Sequence, residues 1–103
     1  MTIKDMKDIL FQKLQDEQTS FKKSDISIKK VTCTKPKYRK YKIVIKDFEH
    51  EQFTMYFEYD KYFGYIVTVF NADYETLAFI DNKKEYNIKS ALIEIGYYIG
   101  TRF

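Results

Sequence analysis

The first hydrophobic positions of the chain recur at the spacing of a helix that is buried along one side. Polar residues occupy the opposite side, and Thr2 followed by Asp5 approximates a capping box at the start. This pattern predicts a helix from about residue 3 to residue 18 that lies on a hydrophobic core. Its core positions are Ile3, Met6, Ile9, Leu10 and Leu14.

Alternation with a period of two residues follows, which is typical of strands with one buried face. A first strand is predicted from Ile26 to Thr34, with a bulge where Lys29 and Lys30 shift the alternation, and Lys35-Pro36 ends it. The next strand covers residues 38 to 47. Its inward positions are Tyr41, Ile43 and Ile45, and its outward positions are Lys40, Lys42, Val44 and Lys46.

A hairpin joins this strand to a third one, in which Phe53, Met55, Phe57 and Tyr59 alternate again. We expect the register that pairs apolar residues with one another. It sets Ile45 opposite Phe53, Ile43 opposite Met55, Tyr41 opposite Phe57, Lys40 opposite Glu58 and Lys42 opposite Tyr56.

A fourth strand follows a predicted turn at Asp60-Lys61, with Met55 opposite Ile66 on the buried side. Thr76 to Ile80 either form a short last strand or lead directly into the final helix, and we favour the strand. The outer face of the fourth strand is expected to carry Phe63, Tyr65, Val67 and Val69.

Helical spacing returns at the end of the chain, in a helix that begins between Asn82 and Asn87. Ile93 and Tyr97 fall nearly opposite its apolar side, so we expect loops or a partner to cover them. Gly96 indicates a close backbone approach to the sheet. The apolar side consists of Ile88, Ala91, Leu92, Ile95, Tyr98 and Ile99.

The order of these elements predicts an α+β two-layer sandwich, in which an antiparallel sheet of three to five strands packs on an N-terminal and a C-terminal helix. A chain of 103 residues with 45% hydrophobic and 32% charged residues is expected to form a single domain, 1–103. The second face of the sheet is then exposed.

Charge divides the chain into two regions of opposite sign, which the net charge of +3 conceals. Phe21 to Lys46 contains ten of the 18 basic side chains and one acid, whereas Asp47 to Glu85 contains nine acids and three lysines. Cys33 is the only cysteine, and charges interrupt the N-terminus where a signal peptide is apolar, so we expect a cytoplasmic protein. The longest largely apolar stretch, Ile88 to Gly100, contains two charges and is too short to span a bilayer, so we expect no membrane segment.

The residues needed for common catalytic or metal sites are scarce in this chain. His50 is the only histidine and lies in a predicted turn, Cys33 stands between two threonines, and the three glycines form no phosphate loop. The sequence therefore predicts a protein that is not an enzyme and has no cofactor and no metal.

The exposed sheet face is instead predicted to bind a partner, because lysines that contact phosphates and rings that stack on bases share it. The alternative is a solvated lysine-rich face whose tyrosines only cover the sheet. The acidic half of the chain favours docking on a protein of mixed charge. The candidate residues are Lys35, Lys37, Tyr38, Arg39, Lys40, Lys42, Lys46, Tyr56 and Tyr65.

Two resemblances follow from these features. The order of helix, three strands and helix, with Lys83-Lys84 near the last helix, is similar to the double-stranded RNA-binding domain. The short chain, rich in Lys, Tyr and Ile and poor in cysteine, resembles accessory proteins of phages and mobile elements of low-GC bacteria, a group that includes anti-CRISPR inhibitors. The second resemblance implies a bacterial host and a host protein or ribonucleoprotein partner, such as a Cas nuclease with its guide RNA.

Three functions therefore stay open at the level of sequence. The leading hypothesis is an anti-CRISPR-like antagonist that docks on a nucleic-acid-handling host complex and blocks it sterically. The second is direct binding of RNA or DNA by the Lys/Tyr face. The third is a structural or regulatory homodimer joined through Ile93 and Tyr97.

Overall fold

Over the residues that it describes, the computed structural model contains two helices, a short 3-10 helix and five strands. It describes the backbone of residues 1–32, 38–46, 52–60, 64–71, 73, 75–82 and 86–101, and the side chains of 1–32, 39–46, 53–56, 67–71, 73, 75–76 and 88–101. The elements in chain order are α1 (Ile3–Asp16), the 3-10 helix (Lys23–Asp25), β1 (Ile26–Val31), β2 (Tyr38–Ile45), β3 (Gln52–Asp60), β4 (Gly64–Phe70), β5 (Thr76–Asn82) and α2 (Tyr86–Gly100).

The strands form one antiparallel meander in the spatial order β1-β2-β3-β4-β5. Both helices pack on the same face of this sheet, which confirms the predicted α+β arrangement, including the last strand and the start of α2. Neither helix, over the residues that the structure describes, is long and apolar enough to cross a membrane.

Helix α1 begins and ends with capping motifs encoded locally. The Thr2 hydroxyl accepts a hydrogen bond from the Asp5 backbone N–H at 3.1 Å, and the Asp5 carboxylate accepts one from the Thr2 backbone N–H at 3.1 Å. These bonds lower the pKa of Asp5. The helix ends at Asp16, earlier than predicted, because Gln18 takes a left-handed conformation (φ 60°) and Thr19 N–H donates to Leu14 C=O at 3.1 Å.

The core lies between the two helices and the inner face of the sheet. Alternate strand residues and one side of each helix contribute to it, as the periodicities predict. Ile3, a predicted core position of α1, is instead 40% exposed. The fully buried side chains include Met6, Leu10, Leu14, Ile43, Ile45, Phe53, Met55, Val67, Val69, Leu92, Ile95 and Ile99.

A buried asparagine organises the connection from β4 to β5, where the sequence predicts a loop. The Asn71 side-chain oxygen accepts hydrogen bonds from the backbone N–H groups of Asp73 (3.0 Å) and Glu75 (2.9 Å). Its amide donates to the Glu75 carboxylate at 2.8 Å. The buried polar side chain is therefore satisfied by the loop that it shapes.

The register between β2 and β3 differs by two residues from the predicted one. Ile43 pairs with Phe53 and Tyr41 with Met55, so that Lys40 lies opposite Tyr56. A shift of two residues keeps every side chain on its face, and alternation alone does not distinguish such registers. The predicted Lys40–Glu58 and Lys42–Tyr56 pairs are therefore wrong: Tyr38 pairs with Glu58, and Lys42 with Thr54.

The phase of β4 is the opposite of the predicted one. Met55 pairs with Val69, and Val67 and Val69, expected on the outer face, are fully buried. The reason is the connection, because three residues separate Asp60 from Gly64 where a two-residue turn was predicted. The register of β4 against β3 therefore shifts by three residues, and an odd shift exchanges the two faces of a strand. Phe63 lies outside the described residues.

Strand β1 is shorter and more regular than predicted. It ends at Val31 and pairs with β2 without interruption from Ile26 to Val31, so the bulge predicted at Lys29 and Lys30 is absent from it. Both lysines are exposed although they are sequence neighbours, since β1 is an edge of the sheet. Cys33 and Lys35-Pro36 lie outside the described residues.

The sequence predicted that Gly96 lies close to the sheet. In the structure its close contact is with α1 instead. A Cβ atom at this position would lie 2.5 Å from Lys13 Cγ and 2.9 Å from Lys13 Cβ. Both atoms are near the backbone of α1, so a side chain at Gly96 would force the helices apart. The glycine thus sets the distance between α1 and α2.

Gly96→Ala is expected to lower the free energy of unfolding by about 1–2 kcal/mol, because overpacking outweighs the roughly 1 kcal/mol that alanine gains in helix propensity. Urea denaturation measures this change. Adding Lys13→Ala removes the nearer atom and should make the double variant less destabilised than the sum of the single changes. Stabilisation by Gly96→Ala would contradict the close approach of the helices.

Candidate binding surface

Strand β2 supplies core side chains on one face and lysines on the other. Ile43 and Ile45 are 0% exposed and Tyr41 is 6% exposed, whereas Lys42 and Lys46 are exposed and Lys40 is half-buried. We call the solvent side of the sheet the outer face. Its described side chains are Ser27, Lys29, Val31, Lys40, Lys42, Val44, Lys46, Thr54, Tyr56, Thr68 and Phe70.

Two rows of paired residues cross the outer face from β1 to β4. One runs through Lys29, Lys42, Thr54 and Phe70, and the other through Val31, Lys40, Tyr56 and Thr68. Side chains directly opposite one another in an antiparallel pair have Cβ atoms about 4.5–5.5 Å apart. Each row is therefore a line of side chains in contact distance across the sheet.

The first row places two like charges side by side. Lys29 and Lys42 are direct partners in the β1–β2 register, and both are exposed. Among the described residues, the ion pairs join Lys13 to Glu17 and Lys23 to Asp8, so neither lysine of the row is neutralised. Like charges in this position destabilise a sheet. Among the described side chains, the outer face thus has an uncompensated positive charge.

The second row leads into a pair of aromatic rings. Lys40 Nζ lies 5.2 Å from the centroid of the Tyr56 ring, within the range of a cation–π contact. The Tyr56 and Phe70 rings meet edge to face, with centroids 5.9 Å apart and planes at 86°. Both side chains are half-buried, which fixes the rings while part of each stays accessible.

Where the structure describes side chains, positive charge and aromatic rings consequently occupy different halves of the outer face. The lysines lie on β1 and β2, and the rings lie on β3 and β4, with Thr54 and Thr68 beside the rings. The sequence also predicted rings on β3 and β4, and the phase of β4 makes Phe70 one of them, because it turns Phe70 outward.

The structure brings together only some of the predicted site residues. Lys40, Lys42, Lys46 and Tyr56 share the outer face. Arg39 is exposed but alternates with them on β2, so it occupies a helix-side position at the start of the strand. Tyr38 and Tyr65 belong to β2 and β4, but their side chains lie outside the described residues, as do Lys35 and Lys37.

Two residues of the outer face that carry a charge or a ring were missed by sequence reasoning, Lys29 and Phe70. Lys29 joins it because β1 pairs with β2, an arrangement that alternation within one strand does not reveal. Phe70 joins it because the connection before β4 is longer than a two-residue turn. Thr68, polar between two apolar neighbours, was the signal in the sequence that indicated the correct phase.

The helix layer has a second exposed feature on the other side of the molecule. A groove of about 450 Å³ lies between α1 and α2, with Ile9 and Ile93 among its lining residues. Tyr97 is 54% exposed, and Lys13 Nζ lies 5.9 Å from its ring centroid. Lys13 also bonds Glu17 at 2.8 Å, and this hydrogen bond raises the pKa of Lys13. Ile93 and Tyr97 are thus not covered by the loops that the structure describes.

Comparisons with protein families, curated proteins and solved structures find no match to this chain. Over the part of the chain that the structure describes, no group of three His, Cys, Asp or Glu side chains could hold a metal ion.

Lys29→Glu is expected to raise the free energy of unfolding by about 0.2–1 kcal/mol, because it turns the repulsive pair with Lys42 into an attractive one. The gain should shrink as salt is added. Lys30→Glu is the matched control, since it makes the same charge change on the same strand opposite the buried Tyr41. Equal effects of the two variants in urea denaturation would contradict the pairing of Lys29 with Lys42.

Proposed function

We propose that this chain is a non-enzymatic binding protein that docks the lysines of its outer face on a nucleic-acid-handling complex. The observation that carries the proposal is the opposed, unneutralised pair of Lys29 and Lys42. Lys40 on β2 and Lys46 directly after it extend the same positive surface. A polyanion that covers these lysines relieves their repulsion and releases its own counterions.

Protection of a sheet edge is the other common reason for lysines on a strand. It accounts for Lys29 and Lys30, because β1 is an edge strand. It does not account for Lys40 and Lys42, because β2 is paired on both sides, by β1 and by β3. The lysines of β2 therefore support binding over edge protection.

Charge on the helix layer is mixed in sign. Its acids Asp8 and Glu17 are ion-paired with Lys23 and Lys13, and further lysines lie on the helices at Lys4, Lys7 and Lys89. On the outer face, by contrast, the described charged side chains are all lysines, so a negatively charged partner surface is attracted to this side. Long-range steering of this kind accelerates association.

Steric antagonism is the activity that such docking would produce. A protein seated on the nucleic-acid path of a nuclease, or on its guide RNA, excludes the substrate without any chemistry of its own. The overall resemblance to anti-CRISPR proteins supports a Cas nuclease with its guide RNA as the partner and the cytoplasm of a bacterial host as the location.

The triple variant Lys40→Glu, Lys42→Glu, Lys46→Glu is expected to lose partner capture in pull-downs from bacterial lysate while keeping its circular dichroism spectrum. The matched control reverses Lys4, Lys7 and Lys89 on the helices and likewise changes the net charge from +3 to −3. Pull-downs with and without nuclease separate docking on protein from tethering by nucleic acid. Equal loss in both variants would contradict a role for the outer face.

A second candidate function, self-association through the helix layer, is favoured by the groove between α1 and α2. Its rim carries Asp8 and Asp16 on α1 and Lys89 on α2. In a twofold dimer each surface contacts its own copy, so Lys89 of one protomer would meet the acids of its partner. Tyr97 and Ile93 would supply the apolar contact.

Light scattering over a range of concentrations tests this candidate. We expect a dimer for the wild type and a monomer for Tyr97→Asp, because a buried, unpaired carboxylate disfavours the interface. Lys4→Asp, on an exposed residue of α1 outside the groove lining, is the control for added acidity. A wild type that stays monomeric at millimolar concentration contradicts self-association.

A further inference from the structure

We propose that the ligand of the outer face is a single-stranded segment of nucleic acid. Its phosphates would follow the lysines of β1 and β2, and its bases would stack on Tyr56 and Phe70. The inference rests on the proposed function and specifies which chemical class of ligand the outer face binds. The division of the face into a lysine half and a ring half carries it.

The shape of the outer face disfavours reading of a duplex. Five strands about 4.8 Å apart make a sheet about 19 Å across, wider than the major groove of B-DNA at about 12 Å. Both helices lie on the inner side, so neither projects from this face into a groove. A duplex would contact the face through phosphates alone and would leave the rings without a partner.

A single strand satisfies both halves of the face. Adjacent strands of the sheet are about 4.8 Å apart, so a backbone lying over β2 has its bases above β3 and β4. Along the chain, the distance from Lys40 to Lys46 is about 20 Å. The lysines therefore leave room for several nucleotides. Bases that are not paired are free to stack on Tyr56 and Phe70.

The contact between Lys40 and Tyr56 gives the site two states. Without a ligand, the Lys40 ammonium lies over the Tyr56 ring, at 5.2 Å from its centroid. An incoming base takes this position on the ring, and the ammonium moves to a phosphate beside it. The contact thus keeps the ring and the charge oriented before binding, and both groups gain a partner on binding.

Fluorescence anisotropy with a labelled 12-nucleotide single strand, as DNA and as RNA, and with the corresponding 12-base-pair duplexes tests the inference. We expect single-strand binding at least tenfold tighter than duplex binding, with affinity that falls steeply as salt rises. Tyr56→Ala should weaken it at least fivefold, since stacking contributes about that much per base. Tyr56→Phe should retain affinity because it keeps the ring.

Phe70→Leu provides a second test that keeps the packing volume close to that of the wild type. It should also weaken single-strand binding while leaving the salt dependence unchanged. Lys42→Glu should weaken binding and reduce the salt dependence. Retained affinity in both Tyr56→Ala and Phe70→Leu overturns the stacking role and with it this inference.

The remaining outcomes separate this inference from the proposed function. Equal affinity for duplex and single strand, lost in Lys42→Glu, overturns the single-strand inference and leaves docking through the lysines intact. No binding of any oligonucleotide, together with nuclease-resistant, lysine-dependent capture of a partner, overturns it in favour of a protein surface. Partner capture that is insensitive to the lysines overturns the proposed function itself.

Discussion

The alternation of β2 is the constraint on which the rest of the molecule depends. Tyr41, Ile43 and Ile45 fill the core while Lys40 and Lys42 face solvent. A slip of one residue would bury charged lysines and expose three core side chains, which is prohibitive because an unpaired buried charge costs far more than a lost contact. The same fact that makes β2 a core strand therefore fixes its lysines on the outer face.

The helix layer makes this alternation unambiguous. Gly96 lets α2 lie close to α1, and the two helices together cover only the inner face of the sheet. Asp25, the single acid of the basic stretch, has a structural role, since its carboxylate accepts from Lys22 N–H at 2.8 Å and its carbonyl from Lys46 N–H at 2.8 Å. It therefore holds the end of β2 beside the 3-10 helix without neutralising the lysines of the outer face.

The features that could be predicted from sequence are those encoded over a few neighbouring residues. The cap at Thr2, the helices and the faces of β2 and β3 follow from local periodicity and are confirmed. Register is a property of two strands, and a shift of two residues leaves every face unchanged, so the partner of Lys40 was not predictable. The phase of β4 depended on the length of one connection. The neighbour of Gly96 depended on the packing of the helices.

The residues of the candidate site likewise fall into those that local periodicity predicts and those that depend on strand pairing. Lys40, Lys42, Lys46 and Tyr56 were predictable because they belong to strands with clear alternation. Lys29 and Phe70 were not, because they reach the outer face through pairing and turn length. The two observations that most favour binding, the opposed lysines and the separate ring half, are both products of register.

Binding of a single strand by the outer face can be measured by an NMR titration of the isotope-labelled protein with a 12-nucleotide oligonucleotide, which maps the contact surface without any substitution. We expect chemical-shift changes concentrated at Lys29, Lys42, Thr54, Tyr56 and Phe70, with the amides of α1 and α2 unaffected. Changes confined to the two helices, or no changes at low salt, would contradict such binding.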